Sequence, residues 1–369
     1  MNNIRIASKK NLLALLLAGM IAVLAACGGN NGDAGKQSAS SGNGASSSSS
    51  AGASATAATD LPKEIRIGYQ VSPNGELTAK ALGLAEKEFP GVKISWLKFD
   101  SGRDVNTAIA SGSIDFGLVG TPPGASAVAQ GLPDEIYYIH DVIGESEALV
   151  VQDASGIRSL EDLKGKTIAT TFGSTSHFSL LSALKQANID PSAIKIIDMQ
   201  APDLLAAWQR GDIDGAYIWQ PVQSKLLGEK GKIVITSKEV AEKGALTGEF
   251  GVVHKDFIAK YPNVVKRYIA ILDAGTKYYR DHPKEASEAL SKELGLTPEE
   301  TLKAMNEITV LDASQQTDPK YMGTPEQPGE FGTLLKATAD FLVEQKSIKE
   351  APDVSVFQKA IRNDLYAKS

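Results

Sequence analysis

From Glu64 onward, short apolar strands alternate with capped helices, and the whole rhythm occurs twice; nothing else in the chain limits its fold as strongly. Residues 64–69 (EIRIGY) read as a strand followed by the turn residues Ser72-Pro73-Asn74-Gly75. Leu77, Ala81, Leu84, Ala85 and Glu88 then recur at helical spacing until Phe89-Pro90-Gly91 ends the pattern. Residues 92–99 alternate as a second strand, Asp100-Ser101-Gly102 opens a helix over 103–110, and 114–119 form a third strand. Thr121-Pro122-Pro123 starts another helix, with proline where its missing N–H does no harm. The pattern restarts with strands at 166–170, 194–198 and 213–218, separated by helices at 176–187 and 202–210. Strand–helix–strand units of this length imply parallel pairing through right-handed crossovers, and hence an α/β fold.

Two more apolar segments, 147–151 (EALVV) and 250–254 (FGVVH), bracket the second block. They are expected to be two antiparallel hinge strands joining two α/β lobes around a cleft. Beyond His254 the chain reads as amphipathic helices starting near Pro262, Pro283 and Pro298, which should pack back on the first block. The expected division is therefore 61–148 plus 253–369 for lobe 1 and 149–252 for lobe 2. A chain of 369 residues is long enough for two such bodies.

The first sixty residues follow other rules. Arg5, Lys9 and Lys10 precede an apolar run over 12–26 that is short for a bilayer span of about 20 residues. A basic start, apolar middle and small-residue end fit a secretory signal. Its end, Leu24-Ala25-Ala26-Cys27, resembles a lipobox, which implies cleavage before Cys27, acylation of its sulfur, and a lipid anchor on the extracytoplasmic face of the membrane. Residues 28–60 are almost entirely Gly, Ser, Ala, Asn and Thr, with nothing to bury, and are expected to form a disordered linker.

Several function classes are excluded early. A formal charge of −6 argues against nucleic acid, whose phosphates need basic surface. A single cysteine excludes a disulfide framework and any cysteine-cluster metal site. Four histidines without an HExxH motif argue against a catalytic transition metal, and there is no P-loop, GxGxxG or GxSxG. No cofactor, no metal and no enzyme activity are expected.

The segment 208–221 (WQRGDIDGAYIWQP), with 98–103 (KFDSGR), 146–151 (SEALVV) and 174–181 (STSHFSLL), resembles the taurine-binding group of ABC-importer binding proteins. This group belongs to a wider family that binds aliphatic sulfonates, nitrate and thiamine precursors. The resemblance spans residues 64–345. It implies a type II periplasmic-binding-protein fold, a monomer that closes on taurine or a related alkanesulfonate and delivers it to an ABC permease. The lipid anchor departs from the soluble periplasmic form. Nitrate or a pyrimidine thiamine precursor is the alternative ligand, and a sensor lipoprotein without transport is the alternative role. The pyrimidine-synthase enzymes related to this family use a cysteine-rich iron motif that a lone cysteine cannot supply.

In open α/β sheets, ligands bind beyond the carboxyl ends of the strands, where helices begin. The junctions are Gln70 with Ser72, Asp100 with Ser101, Gly120 with Thr121, Ser174 through His177, and Trp219 with Gln220; the candidate contacts among them are Gln70, Ser101, Thr121, Ser174, Thr175, Ser176, His177, Trp219 and Gln220. A sulfonate suits neutral N–H and hydroxyl donors at a helix N-terminus, and Trp219 offers an aromatic face to an ammonium. Tyr69 and Trp96 are expected to pack. For the ammonium's carboxylate partner the choices are Glu145, Glu147, Asp214 and Glu249. The resemblance favours Glu249, which stands where taurine-binding relatives carry an acid, and Glu147 comes second. Those relatives place tryptophan two residues further on, where this chain has Gly251, which implies a looser pocket wall.

Overall fold

The computed structural model describes residues 61–366; the expected signal sequence, Cys27 and the expected linker lie outside the described residues. β1 (Glu64–Tyr69) leads through α1 (Gly75–Ala81) and α2 (Leu84–Glu88) to β2 (Lys93–Lys98), α3 (Gly102–Ala110), β3 (Phe116–Gly120) and α4 (Thr121–Ala129). The helix expected over 77–88 is two helices. Gly83, in the left-handed region at φ 63°, separates them, and Asn74 caps the first by accepting from the Leu77 N–H. β4 (Asp134–Ile143) and β5 (Glu147–Gln152) follow, then β6 (Thr167–Thr170), α5 (Thr175–Gln186), β7 (Lys195–Asp198), α6 (Ala201–Arg210) and β8 (Gly215–Trp219). α7 (Val222–Gly228), β9 (Gly231–Thr236) and α8 (Ser237–Ala241) precede β10 (Gly248–His254) and α9 (Lys255–Lys260). The remainder is α10 (Pro262–Asp281), α11 (Pro283–Leu294), α12 (Pro298–Met305), β11 (Ile308–Val310), α13 (Phe331–Glu344) and α14 (Val354–Lys359). Three of these helices begin at the prolines that mark them in the sequence.

The strands form two sheets, ordered β2-β1-β3-β10-β4-β11 and β7-β6-β8-β5-β9. Each contains a parallel trio with its first strand central, β2-β1-β3 and β7-β6-β8. In each, the strand beside the third parallel member runs antiparallel: β10 against β3, and β5 against β8. This is the α/β architecture that the alternating sequence implies.

The expected hinge strands differ from what is found. The 147–151 segment lies inside the second sheet, between β8 and β9, and the 250–254 segment lies inside the first, between β3 and β4. They do not pair with each other. The chain passes between sheets in the short stretch 144–146 and again over 237–247. Both apolar segments are interior strands because each is fully covered on its faces, and continuous runs of buried valine and leucine are what interior strands need.

β4, β9 and β11 have no counterpart in the sequence reading. β4 carries Asp134, His140 and Asp141 within its apolar run, all buried. β9 is an edge strand with Ile233 43% exposed. Helices cover both faces of the first sheet. Val264, Val265, Tyr268 and Leu272 of α10 pack with Ile65, Ile67 and Phe116, while Phe331, Leu335 and Ala339 of α13 pack with Val119, Ile136 and Phe250. Leu180 and Leu184 of α5 cover one face of the second sheet, and Leu204 and Trp208 of α6 the other.

Candidate ligand-binding cleft

A cleft lies where the N-terminal ends of α3, α4 and α5 meet the ends of β1, β4, β5, β8 and β10. Its walls are Gln70, Ser72, Pro73, Gly102, Gly120, Pro123, Asp141, Ile143, Ser146, Glu147, Ser174, Thr175, Trp219, Gln220, Glu249 and Ile308. The cavity volume is about 30 Å³. At about 10–15 Å³ per water, that is two or three waters, so a ligand of a few heavy atoms fills it.

One side of the cleft is built to hold negative charge. Ser174 caps α5, its hydroxyl accepting from the His177 N–H at 3.2 Å and donating to the Thr171 carbonyl at 2.6 Å. That leaves the Thr175 and Ser176 amides at the start of a 12-residue helix, at the cleft wall that Ser174 and Thr175 form. Gly102 is the first residue of α3, and Gly120 precedes α4. A Cβ on Gly120 would lie 2.5 Å from Thr175 Cγ2, so only glycine lets the two sheets approach this closely. With Pro122 and Pro123 in its first turn, α4 offers fewer amide donors than α5.

The opposite side carries a pair of acids. Glu249 and Asp141 are register partners in neighbouring antiparallel strands. Asn74 Nδ2 donates to Glu249 Oε2 at 3.2 Å while the same side chain caps α1. Burial and then the neighbouring Glu249 charge push the Asp141 carboxyl well above the ordinary carboxylate range. Burial also raises Glu249, against hydrogen bonds from Asp141, Ser72 and Asn74 that lower it. Two like charges this close cannot both persist unaided, so the proton stays on Asp141, which donates to Glu249. A cation entering beside them would offset the buried Glu249 charge.

Glu147 also lines the cleft, but its carboxylate is already surrounded by hydroxyls. Thr175 Oγ1 donates to it at 2.5 Å, Ser237 at 2.6 Å and Ser179 at 3.2 Å. Burial raises its pKa while Ser237 and Thr175 lower it. Its place is to fix the α5 N-terminus against β5. Asp214 accepts from the Thr167 N–H at 2.8 Å, and Glu145 pairs with Lys238 at 3.0 Å; neither reaches the cleft.

Of the residues expected at the site, Gln70, Glu147, Ser174, Thr175, Trp219, Gln220 and Glu249 come together on the cleft wall. Gln70 Nε2 donates to the Leu118 carbonyl, and Gln220 Nε2 to Glu307, each at 2.8 Å. Trp219 ends β8 opposite Glu147 and keeps part of its surface exposed. Ser101, Thr121, Ser176 and His177 do not line it. The Ser101 hydroxyl donates to Asp104 at 2.9 Å and accepts from Gln200, and the next residue, Gly102, forms the wall. Thr121 is fully buried and borders a separate cavity behind β4. Ser176 is fully buried beside Glu147. His177 stacks on Phe172 at 4.4 Å, and burial lowers its pKa to about 4, so the ring is neutral near pH 7 and offers an anion no charge. Tyr69 and Trp96 pack edge to face at 6.0 Å. Gly251 opens no wall: a Cβ there would lie 2.6 Å from Tyr137 Cζ, because the Tyr137 ring fills that space.

Sequence reasoning missed Asp141 and Ser146; Ser72 and Gly120 stand on the wall at junctions that the sequence marks. Further contacts join the surroundings of the two sheets: Arg103 to Asp198 at 3.0 Å, Lys185 to Glu344 at 2.6 Å, and Phe178 edge to face with Phe341 at 4.8 Å.

With this geometry the chain can be compared with known proteins. Residues 70–286 match the family described as NMT1/THI5 like, and the chain belongs to it. It is 37% identical to the taurine-binding periplasmic protein of Escherichia coli over 77% of this chain and 87% of that one. It is 30% identical to a putative aliphatic sulfonates-binding protein of the same organism, over 81% and 90%. The crystal structure of the periplasmic aliphatic sulphonate binding protein SsuA from Escherichia coli superposes with a TM-score of 0.65 at 26% identity, over 80% of this chain and 92% of that one.

Proposed function

We propose that the chain is the solute-binding component of an ABC importer and that its ligand is taurine or a close aminosulfonate. The observation that carries this is the bipolar cleft: helix N-termini with Ser174 and Thr175 at one side, and the Asp141–Glu249 pair with Trp219 available to a cation. A zwitterion of a few heavy atoms satisfies both. Nitrate and sulfate would leave the acid pair facing an anion, and a pyrimidine would find Trp219 as the one aromatic side chain among the described lining residues. The relatives named above are binding proteins, which supports binding without chemistry.

The proposed cycle is a hinged one. Residues 61–143 with 248–366 form one lobe and 147–241 the other, with bending in the short stretches 144–146 and 242–247; the boundaries expected at 148/149 and 252/253 move because β5 belongs wholly to the second sheet and β10 to the first. Ligand touching both lobes favours the closed arrangement. The protein acts as a monomer, held to the extracytoplasmic membrane face by acylated Cys27, and hands its ligand to a permease. Loss of the protein from the membrane fraction on Cys27→Ser tests the anchor. A calorimetric panel over taurine, ethanesulfonate, nitrate and sulfate tests the ligand. Micromolar or tighter taurine binding (about 8 kcal/mol or more) with weaker ethanesulfonate is expected; a response to nitrate or sulfate without one to taurine would overturn the assignment.

A further inference from the structure

Gln70 and Trp219, which close one side of the ligand cleft, also form a wall of a second and larger cavity of about 340 Å³. The floor of this outer chamber is apolar, with Phe99, Val222 and Leu294. Three lysines stand around it: Lys98, Lys225 and Lys292. Its two acids are already engaged, Asp100 3.9 Å from Lys98 and Glu293 at 2.6 Å from Lys80. Lys225 and Lys292 have no carboxylate partner among the described residues. Lys225 is half-buried, with its Nζ near Gly295 at the chamber's edge. Two uncompensated ammonium groups over an apolar floor form an amphipathic site with the polarity of an organic anion.

We propose that this chamber is a separate, weaker binding site for alkanesulfonate anions, with the sulfonate against Lys225 and Lys292 and the alkyl chain on the Phe99, Val222 and Leu294 floor. It rests on the sulfonate-binding function proposed above and extends it. The two sites have opposite preferences. The inner cleft has an acid pair for an ammonium and room for few atoms. The outer chamber has surplus positive charge, which repels the ammonium of a zwitterion, and an apolar area that rewards a longer chain. Trp219, shared by both, separates them. An anionic sulfonate could therefore wait outside while the inner cleft is filled.

The test uses the full chain saturated with radiolabelled taurine and titrated with hexanesulfonate by calorimetry and equilibrium dialysis. A second, weaker saturable event is expected, with the taurine still bound. Lys225→Gln/Lys292→Gln should weaken that event about fivefold or more, the scale of two lost surface charge contacts, and leave taurine affinity unchanged. Hexanesulfonate that only displaces taurine, or that binds the double variant as well as the parent, overturns the proposal. A protein that takes up no taurine instead refutes the functional reading. The chamber is then judged from hexanesulfonate alone: a fivefold loss in the double variant sustains it and no change sinks it.

Discussion

Replacing Glu249 by Gln isolates the charge from the shape of the inner cleft. The amide keeps an oxygen to accept from Asn74 Nδ2, now at 3.2 Å, so the fold around α1 is preserved while the negative charge disappears. Truncating one partner of a buried, hydrogen-bonded charge pair costs about 2–5 kcal/mol. The lower end applies here for two reasons. Glu249 keeps some exposure to the cleft, and Asp141, freed from its neighbour's repulsion, can ionise and take over part of the role. A loss of about 2 kcal/mol, or roughly 30-fold in taurine Kd, is expected. Ethanesulfonate has no ammonium, so its affinity should stay the same or rise. Asp141→Asn alone mimics the protonated acid and should cost under about 1 kcal/mol. The Glu249→Gln/Asp141→Asn double variant should lose more than the sum of the two, because each acid substitutes for the other. Calorimetry with both ligands on all four proteins reads this directly. Equal losses for taurine and ethanesulfonate in Glu249→Gln would refute the assignment of this pair to the ammonium.

Five other substitutions probe the cleft and its support. Gly120→Ala puts a methyl 2.5 Å from Thr175 Cγ2 and should weaken every cleft ligand; adding Thr175→Ser removes that methyl partner and should restore binding, and failure of the rescue would show that closure does not depend on this approach. Glu147→Leu leaves Thr175, Ser179 and Ser237 without their acceptor and should destabilise the protein by about 2 kcal/mol, read as a lower urea midpoint. Trp219→Ala should weaken taurine by about 1 kcal/mol or more through loss of the aromatic face, and an unchanged Kd would remove Trp219 from the site. Glu76 is fully buried, accepts from the Tyr268 hydroxyl at 3.0 Å, and is raised by burial from 4.5 to about 8. The folded state therefore binds a proton that the unfolded state has released. Stability from this group is complete below about pH 4.5 and is lost as pH rises towards about 8, at about 1.4 kcal/mol per pH unit. Glu76→Gln should thus gain stability relative to the parent at pH 8 compared with pH 5; parallel urea midpoints at the two pH values would contradict this.

Much of the fold is legible in local signals. The prolines at 262, 283 and 298 fix helix starts because each sits where the helix needs no N–H. The strand–turn–helix junctions at Ser101, Gly120, Ser174 and Trp219 point to the cleft for the same local reason. What the sequence conceals is long-range. Asp141 reaches the cleft only because β4 pairs with β10, and β4 is hard to see because its apolar run carries His140 and Asp141, polar residues that burial holds in their neutral forms. An acid inside the run Ile136–Ile143 was the available clue. Glu147 illustrates the reverse. It lies at the cleft as expected, yet its oxygens are taken by hydroxyls from α5 and α8 that no spacing rule brings together. His177 follows a helix-start pattern, but the helix turns its ring onto Phe172.

The residues between β4 and β10 have an unusual attachment. Val142 and Gly248 are register partners, so the chain leaves and rejoins the first sheet at adjacent points of one antiparallel pair. Everything from β5 to α8, with its own complete sheet, is an elaborated loop of a β-hairpin. Excising that loop and bridging its stem with a two-residue turn would yield a truncated protein that keeps the first sheet's connectivity. Grafting a different β5–α8 segment onto the same stem would exchange half of the binding surface without altering a strand order.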